Sequence, residues 1–187
     1  LDPRDLNKSM MREHYYMKTR DQIIAELGSE GTPVIFTELD LRHAYWQIPI
    51  DEKSKLLTTF NTFRGRYCFN VGAFGMNTMS EVMQKRIEQH VTEGIPLTYA
   101  YQDNIIIIGT SEAHRDKQIA LVLNKCLQAW ITLNFEKCKF GIKSLNFLGE
   151  VLSKDGVHPD PDKVKVIKEW KVPRDVTSLQ SFFGMLN

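Results

Sequence analysis

Two stretches of the chain have the hydrophobic pattern of β-strands. Residues 34–41 read VIFTELDL, in which three apolar side chains share one face and Asp40 lies on the other. Residues 98–109 read TYAYQDNIIIIG, with β-branched and aromatic residues on both sides of a short polar step. The pattern predicts a strand that ends near Asp40 and a β-hairpin with Asp103 at its tip.

Two other stretches repeat apolar residues at helical spacing. The first runs from about Asn77 to Val91, and the second, capped by Thr110 or Ser111, reaches about Ala129. The order strand, helix, hairpin, helix and further hairpin is that of a split βαβ plan. We therefore predict an α+β fold, with an antiparallel sheet and two helices on one of its faces.

Turn and cap residues delimit the remaining elements. Residues 1–7 are typical of a strand end and a turn, and Asp160 with Pro161 is typical of a helix start. Thr177 and Gln180 have the spacing of a capping box for a last helix. Further short strands are predicted from apolar runs at 56–60, 67–69, 135–140 and 145–152.

The predicted fold brings Asp40 and Asp103 to one edge of the sheet. Two neighbouring carboxylates repel each other unless cations lie between them, and all-oxygen ligands favour Mg²⁺. Two carboxylates that share two ions are suited to in-line phosphoryl or nucleotidyl transfer. The alternative is a pair of solvated turn residues. Glu38 shares the strand face of Asp40 and is a further candidate ligand, although a buried or solvated position is the preferred interpretation.

Composition narrows the class of protein. The 187 residues are 42% hydrophobic and 25% charged, which suits one globular domain or two small subdomains with a core. The chain starts with Leu and ends within an apolar pattern, so we expect a piece of a longer polypeptide. No apolar run approaches the ~20 residues that span a membrane. Three cysteines without CxxC spacing predict reduced thiols in an intracellular protein, in cytoplasm or nucleus. The net charge of +1 means that any nucleic-acid surface must come from local clusters.

A series of ordered motifs resembles the reverse transcriptase of Gypsy-class LTR retrotransposons, and more distantly that of retroviruses. The motifs, in chain order, are LDPRDLNK, FTELDLRHAYWQIPID, TTFNT, GRYCFN, SEVMQ, YQDN, LNFEKCKF, FLGEVLSKDGVHPDP and SLQSFFGMLN. The resemblance implies a polymerase palm with partial fingers and the start of a thumb. The implied bounds are 1–32 and 54–78 for the fingers, 33–53 and 79–158 for the palm, and 159–187 for the thumb.

The resemblance also implies the catalytic residues. Asp40 and Asp103 match the metal-binding aspartates, and Leu41 matches a residue whose backbone carbonyl binds one ion. Two Mg²⁺ ions are implied, with Mn²⁺ as an alternative. Tyr45 matches the aromatic residue that excludes a ribose 2′-hydroxyl, although a core tyrosine is the alternative.

Other implied contacts involve the substrate and the nucleic acid. These partners are deoxynucleoside triphosphates, an RNA or DNA template with a DNA primer, and the thumb and RNase H of a Pol polyprotein. Besides Tyr45, the implied nucleotide-binding residues are Phe74, Gly75 and Gln84. The primer grip is Phe147, Leu148 and Gly149. Candidate template contacts are Arg4, Arg64, Arg66, Lys85 and Arg86.

The chain departs from the family where a second aspartate is expected next to Asp103, because Asn104 stands there. An amide offers a metal one oxygen but no charge. At ~4 Å, a missing unit charge costs on the order of 4 kcal/mol per cation charge at a protein-like dielectric. We therefore expect weak or absent polymerase activity. Further departures are Gln102, the GAFG segment 72–75, Met79-Ser80, Phe63-Arg64 and Trp130, and together they favour drift in a decayed or domesticated copy over a single engineered change.

Three functions are consistent with these observations. The first is an RNA-directed DNA polymerase, active or once active. The second is a domesticated, non-catalytic reverse-transcriptase fold that binds nucleic acid or protein. The third is a structural partner domain with no nucleic-acid role.

Overall fold

The structure is a computed structural model that describes residues 2–12, 14–29, 35–147, 149–170 and 172–186. The chain forms two compact units, Leu1–Lys143 and Ser144–Asn187. In the part of the chain described, no helix is long and apolar enough to cross a membrane.

The first unit contains the sheet that carries the candidate site. Its elements, in chain order, are α1 (Arg4–Ser9), α2 (Arg20–Ser29), β1 (Ile35–Asp40), a 3₁₀ turn (Ala44–Gln47), α3 (Glu52–Leu57), β2 (Phe60–Thr62), β3 (Gly65–Tyr67), α4 (Met79–Ile87) with a π-helical turn (Glu88–Thr92), β4 (Thr98–Tyr101), β5 (Asn104–Gly109), α5 (Glu112–Gln128) and β6 (Lys139–Ile142).

Four of these strands form one antiparallel sheet in the order β4-β5-β1-β6. The isoleucine run of β5 lies between β4 and β1 and is buried on both faces of the sheet: Ile105 to Ile108 are all at most 4% exposed. One sheet face packs against α4 and α5, in a core whose members include Leu39, Ile105, Ile107, Met83, Ile87 and Val122. The predicted α+β fold with an antiparallel sheet is confirmed.

The cap of α5 also agrees with the sequence pattern. Ser111 is the N-cap, and its hydroxyl oxygen accepts a hydrogen bond of 3.2 Å from the backbone N–H of His114. The helix continues to Gln128, one residue from the predicted end.

Several local predictions were wrong. Residues 4–9 form a helix and not a strand end. Of the run 56–60, residues 56 and 57 belong to the helix α3, and only Phe60 lies in a strand, β2. Asp51 caps α3 by accepting from the N–H groups of Lys53 and Ser54. Of the run 135–140, only the last residues belong to β6; the N–H of Lys137 bonds to the carbonyl of Asn134 in a turn.

The second unit is a three-stranded antiparallel sheet followed by two helices. Its elements are β7 (Ser144–Phe147), β8 (Glu150–Ser153), β9 (Gly156–Pro159), α6 (Pro161–Glu169) and α7 (Val176–Leu186). The predicted strand 145–152 is therefore two strands. Asp160 caps α6 as predicted, with Pro161 at its first position. The cap of α7 is Asp175, which accepts 2.7 Å from the N–H of Ser178, and not Thr177.

Candidate active site

The tip of the β4–β5 hairpin is a two-residue turn. Tyr101 pairs with Asn104, and Gln102 and Asp103 lie between them. Gln102 has a positive φ of 54°, a value that type II′ turns require at their first central residue. The carbonyl oxygen of Asp103 accepts 2.8 Å from the N–H of Leu41, so the turn is joined directly to the end of β1.

Strand register places the predicted catalytic residues together. Asp40 lies opposite Asn104 in the β1–β5 pair, and Asp103 precedes it in the turn bonded to Leu41. The backbone of Asp40 is fixed on its other side, since its carbonyl accepts 2.8 Å from the N–H of Asn134. Asp40, Leu41 and Asp103 line one cleft of about 690 Å³, together with Arg42 to Tyr45, Phe74, Gln102 and the segment 133–137.

The side-chain oxygens at the hairpin tip and the end of β1 are the type of ligand that divalent cations prefer, but one of the three side chains is uncharged. Asp40 and Asp103 are carboxylates, and Asn104 beside them offers only an amide. Among the described residues, no group of three or more His, Cys, Asp or Glu is placed to hold a metal ion. Glu38 is not a third ligand, because its carboxylate forms an ion pair of 2.8 Å with Lys139 on β6. The oxygen donors of Asp40 and Asp103 therefore suit a divalent cation.

An aromatic wall borders the cleft. The ring centroids of Tyr45 and Phe74 lie 5.8 Å apart, edge to face, and those of Trp46 and Phe74 are also 5.8 Å apart. Burial raises the pKa of the Tyr45 phenol, and the nearby Asp103 carboxylate raises it further, so the phenol is neutral beside the carboxylate. Trp46, 46% exposed, was not among the predicted site residues; its position directly after Tyr45 was the one signal in the sequence.

A glycine allows this wall to form. A Cβ on Gly72 would lie 2.6 Å from the carbonyl oxygen of Tyr45 and 2.6 Å from Sδ of Met79. Any side chain here would move the loop that carries Phe74 away from Tyr45. Gly75, the predicted nucleotide contact, follows Phe74 with φ 88° and accepts a hydrogen bond from the side chain of Asn7.

Gln84 lies on α4 beneath the hairpin and is 1% exposed. Its Nε2 donates 2.6 Å to the carbonyl of Ala100, and its Oε1 accepts 2.9 Å from the N–H of Gln102. The sequence pattern predicted a nucleotide contact for Gln84 but not this structural role; the nucleotide contact stays a prediction.

The predicted template contacts have different surroundings. Arg4 forms an exposed ion pair with Asp2, and Arg86 donates to the carbonyls of Gln47 and Ala129, 2.6 and 3.0 Å away. Arg86 thus links the 3₁₀ turn to the end of α5. Arg64 and Arg66 are exposed on the β2–β3 hairpin, and Lys85 is half-buried on α4.

The predicted primer grip lies in the second unit. Phe147 is 4% exposed at the end of β7, and Gly149 has φ 83° in the turn before β8. Leu148 lies outside the described residues.

An antiparallel palm-like sheet with two carboxylates at a strand end and a hairpin tip is the arrangement of a nucleotidyl-transfer polymerase. Residues 2–152 match the family described as reverse transcriptase (RNA-dependent DNA polymerase). The chain belongs to the reverse transcriptase family.

Relatives and solved structures agree with this assignment. The chain is 33% identical over 186 residues to the retrovirus-related Pol polyprotein from transposon gypsy of Drosophila melanogaster, with 99% of this chain and 18% of that protein covered. It is also 33% identical to the Pol polyprotein from transposon 412 of the same species, with 100% of this chain and 15% of that protein covered. The resemblance to Gypsy-class reverse transcriptases is confirmed, and the chain spans less than a fifth of these relatives.

The fold is similar to that of foamy viral protease-reverse transcriptase. The structure in complex with an RNA/DNA hybrid superposes with a TM-score of 0.84 at 20% identity, covering 100% of this chain and 25% of that one. The structure in complex with double-stranded DNA gives a TM-score of 0.87 at 20% identity, covering 98% of this chain and 32% of that one.

Proposed function

We propose that the chain is the catalytic domain of an RNA-directed DNA polymerase, which adds deoxynucleotides to a DNA primer on an RNA or DNA template. The supporting observation is the strand register that sets Asp40 opposite Asn104 and bonds the Asp103 carbonyl to Leu41. Backbone hydrogen bonds therefore hold the two carboxylates in one cleft, so no large rearrangement is needed to bring them together.

The residues that would hold two Mg²⁺ ions are Asp40, Asp103 and the backbone carbonyl of Leu41, and Mn²⁺ is an alternative. When bound, the ions would supply positive charge that stabilises the negative charge on the phosphate oxygens during nucleotidyl transfer. The protein's own contribution is placement. Tyr45 borders the cleft where a deoxyribose would lie and would clash with a 2′-hydroxyl, and the Phe74 ring would pack on the incoming nucleotide.

Asn104 weakens the activity in this proposal. It faces Asp40 across the strand pair, where a carboxylate would add a third negative charge to the site. Each 1.4 kcal/mol added to a barrier slows a reaction about tenfold. The missing unit charge costs on the order of 4 kcal/mol per cation charge, which is several times larger. Polymerisation by this chain is therefore expected to be slow or absent.

Solved structures with a similar fold support the proposed nucleic-acid partners. The foamy viral structures contain an RNA/DNA hybrid or double-stranded DNA, and we propose the same class of ligand here. Phe147, Leu148 and Gly149 would position the primer end. Because the gypsy and 412 relatives are Pol polyproteins, the thumb and RNase H of such a polyprotein are the proposed protein partners.

The first experiment is primer extension on an RNA template with Mg²⁺ and deoxynucleotides. Asn104→Asp restores the missing charge and should raise the extension rate at least about tenfold. Asp40→Ala in the Asn104→Asp background should abolish it, since one of the three carboxylates of that background is lost. Extension that persists in the Asp40→Ala variant would contradict the proposed site.

A non-catalytic reverse-transcriptase fold that binds nucleic acid is the second candidate. It is favoured because no group of three or more His, Cys, Asp or Glu in the described part of the chain is placed to hold a metal ion. It predicts that Asn104→Asp brings no extension, while the chain still binds an RNA–DNA duplex with an affinity that falls steeply with salt. Absence of duplex binding at low salt would exclude it.

A further inference from the structure

The outer edge of β4 is completed by one side chain. Among the described strands, β4 is the last of the sheet on its side, and an edge strand has backbone groups without a neighbouring strand to bond. The Ala100 carbonyl of β4 is one such group, and the N–H of Gln102, the first residue of the turn, continues the same edge beyond Tyr101. The carboxamide of Gln84 bonds both, at 2.6 and 2.9 Å, as a further strand would.

Glu88 fixes which end of the Gln84 amide faces which group. The second hydrogen of Gln84 Nε2 is donated 2.7 Å to Oε1 of Glu88, one helical turn further along. A flipped amide would set its oxygen against that carboxylate and its NH₂ against the Gln102 N–H. Both contacts would then be repulsive. Glu88 opens the π-helical turn that follows α4, and such local widenings of a helix are frequent at functional sites.

The second oxygen of Glu88 is bonded by Tyr15, which lies in the N-terminal segment between α1 and α2. The hydroxyl of Tyr15 donates 2.6 Å to Oε2 of Glu88. Burial and then this hydrogen bond raise the pKa of Tyr15 to about 12, so the phenol is a permanent donor near neutral pH. The same segment is attached to α4 by Arg12, whose guanidinium bonds both oxygens of the buried Glu81 at 3.0 Å.

We infer that Tyr15, Glu88 and Gln84 form a positioning network through which the N-terminal segment fixes the hairpin turn that presents Asp103. The turn requires such support because Gln102, a residue with a Cβ, is held at φ 54°. Tyr15 and Glu88 are 73 positions apart in the sequence. Neither bonds the turn in this network, and both act on it through Gln84. The consequence for catalysis rests on the proposed function, whereas the consequence for the turn does not.

The test measures amide hydrogen exchange of Gln102 by NMR, relative to the Ile108 amide of the same sheet, which bonds the Leu97 carbonyl. Gln84→Met preserves the shape but removes both bonds, and should speed the relative exchange of Gln102 by about tenfold. Tyr15→Phe removes one oxygen atom and should speed it by about threefold. Tyr16→Phe is the matched control, because that hydroxyl bonds Gln22 and lies outside the network.

The double variant separates a network from independent structural effects. If Tyr15 acts through Gln84, Tyr15→Phe should have no further effect on Gln102 exchange in the Gln84→Met background. Equal effects of Tyr15→Phe and Tyr16→Phe, or additive effects in the double variant, would overturn the inference. If Gln84→Met does not fold, the comparison of Tyr15→Phe with Tyr16→Phe still decides.

Metal affinity gives the functional arm of the test. Calorimetric titration of Mn²⁺ into the Asn104→Asp chain should show an affinity about threefold lower when Tyr15→Phe is added, and unchanged with Tyr16→Phe. Failure of Mn²⁺ to bind Asn104→Asp at all would count against the proposed function, while the exchange rates of Gln102 would still decide whether the network supports the turn.

Discussion

At the scale of single residues, the backbone conformation of Trp130 determines how the helix α5 ends. Trp130 follows α5 with φ 56°, a left-handed value that costs residues with a Cβ more than it costs glycine. The helix ends in a Schellman motif: the N–H of Ile131 bonds the carbonyl of Cys126 at 2.8 Å, and that of Trp130 bonds Leu127 at 3.3 Å. Glycine is the usual residue at this position, so Trp130 is a strained substitute.

Trp130→Gly should therefore stabilise the protein by about 1 kcal/mol, since the strain is relieved and the indole is 87% exposed. Urea denaturation followed by far-UV circular dichroism measures the change. Leu127→Gly is the matched control: it places glycine on an exposed site inside the same helix and should destabilise by about 1 kcal/mol. A lower stability of Trp130→Gly would contradict the Schellman assignment.

At the scale of elements, α4 is held by ion pairing as well as by its apolar face. Glu81 is 6% exposed, and its carboxylate is bonded by Arg12. The hydrogen bond to Arg12 lowers the pKa of Glu81 from its ordinary value of 4.5. Its contribution to stability is therefore fully present above pH 4.5 and is lost as pH falls through the lowered pKa.

Arg12→Gln should reduce stability at pH 7, because it leaves a buried carboxylate without its cation. It should also reduce the loss of stability between pH 4.5 and pH 2. Glu81→Gln should show the same weakened acid dependence, because the titrating group itself is gone. Urea midpoints measured at several pH values give both quantities. An acid dependence identical in all three proteins would show that this pair does not couple folding to pH.

At the scale of the whole molecule, a net charge of +1 gives no general attraction for nucleic acid. Affinity for the proposed template and primer must come from local cations such as Arg64 and Arg66 on the exposed β2–β3 hairpin. Phosphate contacts of this kind contribute salt-dependent affinity without sequence preference.

Arg64→Gln and Arg66→Gln should each weaken duplex binding for all sequences and reduce the slope of log K against log salt by about 1. Fluorescence anisotropy over a salt series measures the slope. Lys117→Gln, an exposed lysine on α5 outside the predicted contacts, is the control and should leave the slope unchanged. A slope unaffected by both arginine variants would remove this hairpin from the interface.

The sequence by itself determined the elements whose signals are local. The alternation of residues 34–41 predicted β1, the polar step in residues 98–109 predicted the hairpin, and Ser111 predicted the start of α5. Ordered motifs identified the family without any structure. These signals suffice because periodicity, turn chemistry and caps depend on neighbours within a few residues.

Only the tertiary structure decided which distant groups meet. Lys139 bonds Glu38, which lies 101 positions away in the sequence. Gln84 bonds the backbone of the hairpin, and a hydrogen bond to Glu88 determines the orientation of its amide. Local patterns do not encode such partners, because a buried polar side chain takes whichever complementary group the packing brings to it. The strand register is a further example. The sequence motifs identified Asp40 and Asn104 as site residues, but only the paired strands set the uncharged amide of Asn104 opposite the carboxylate of Asp40.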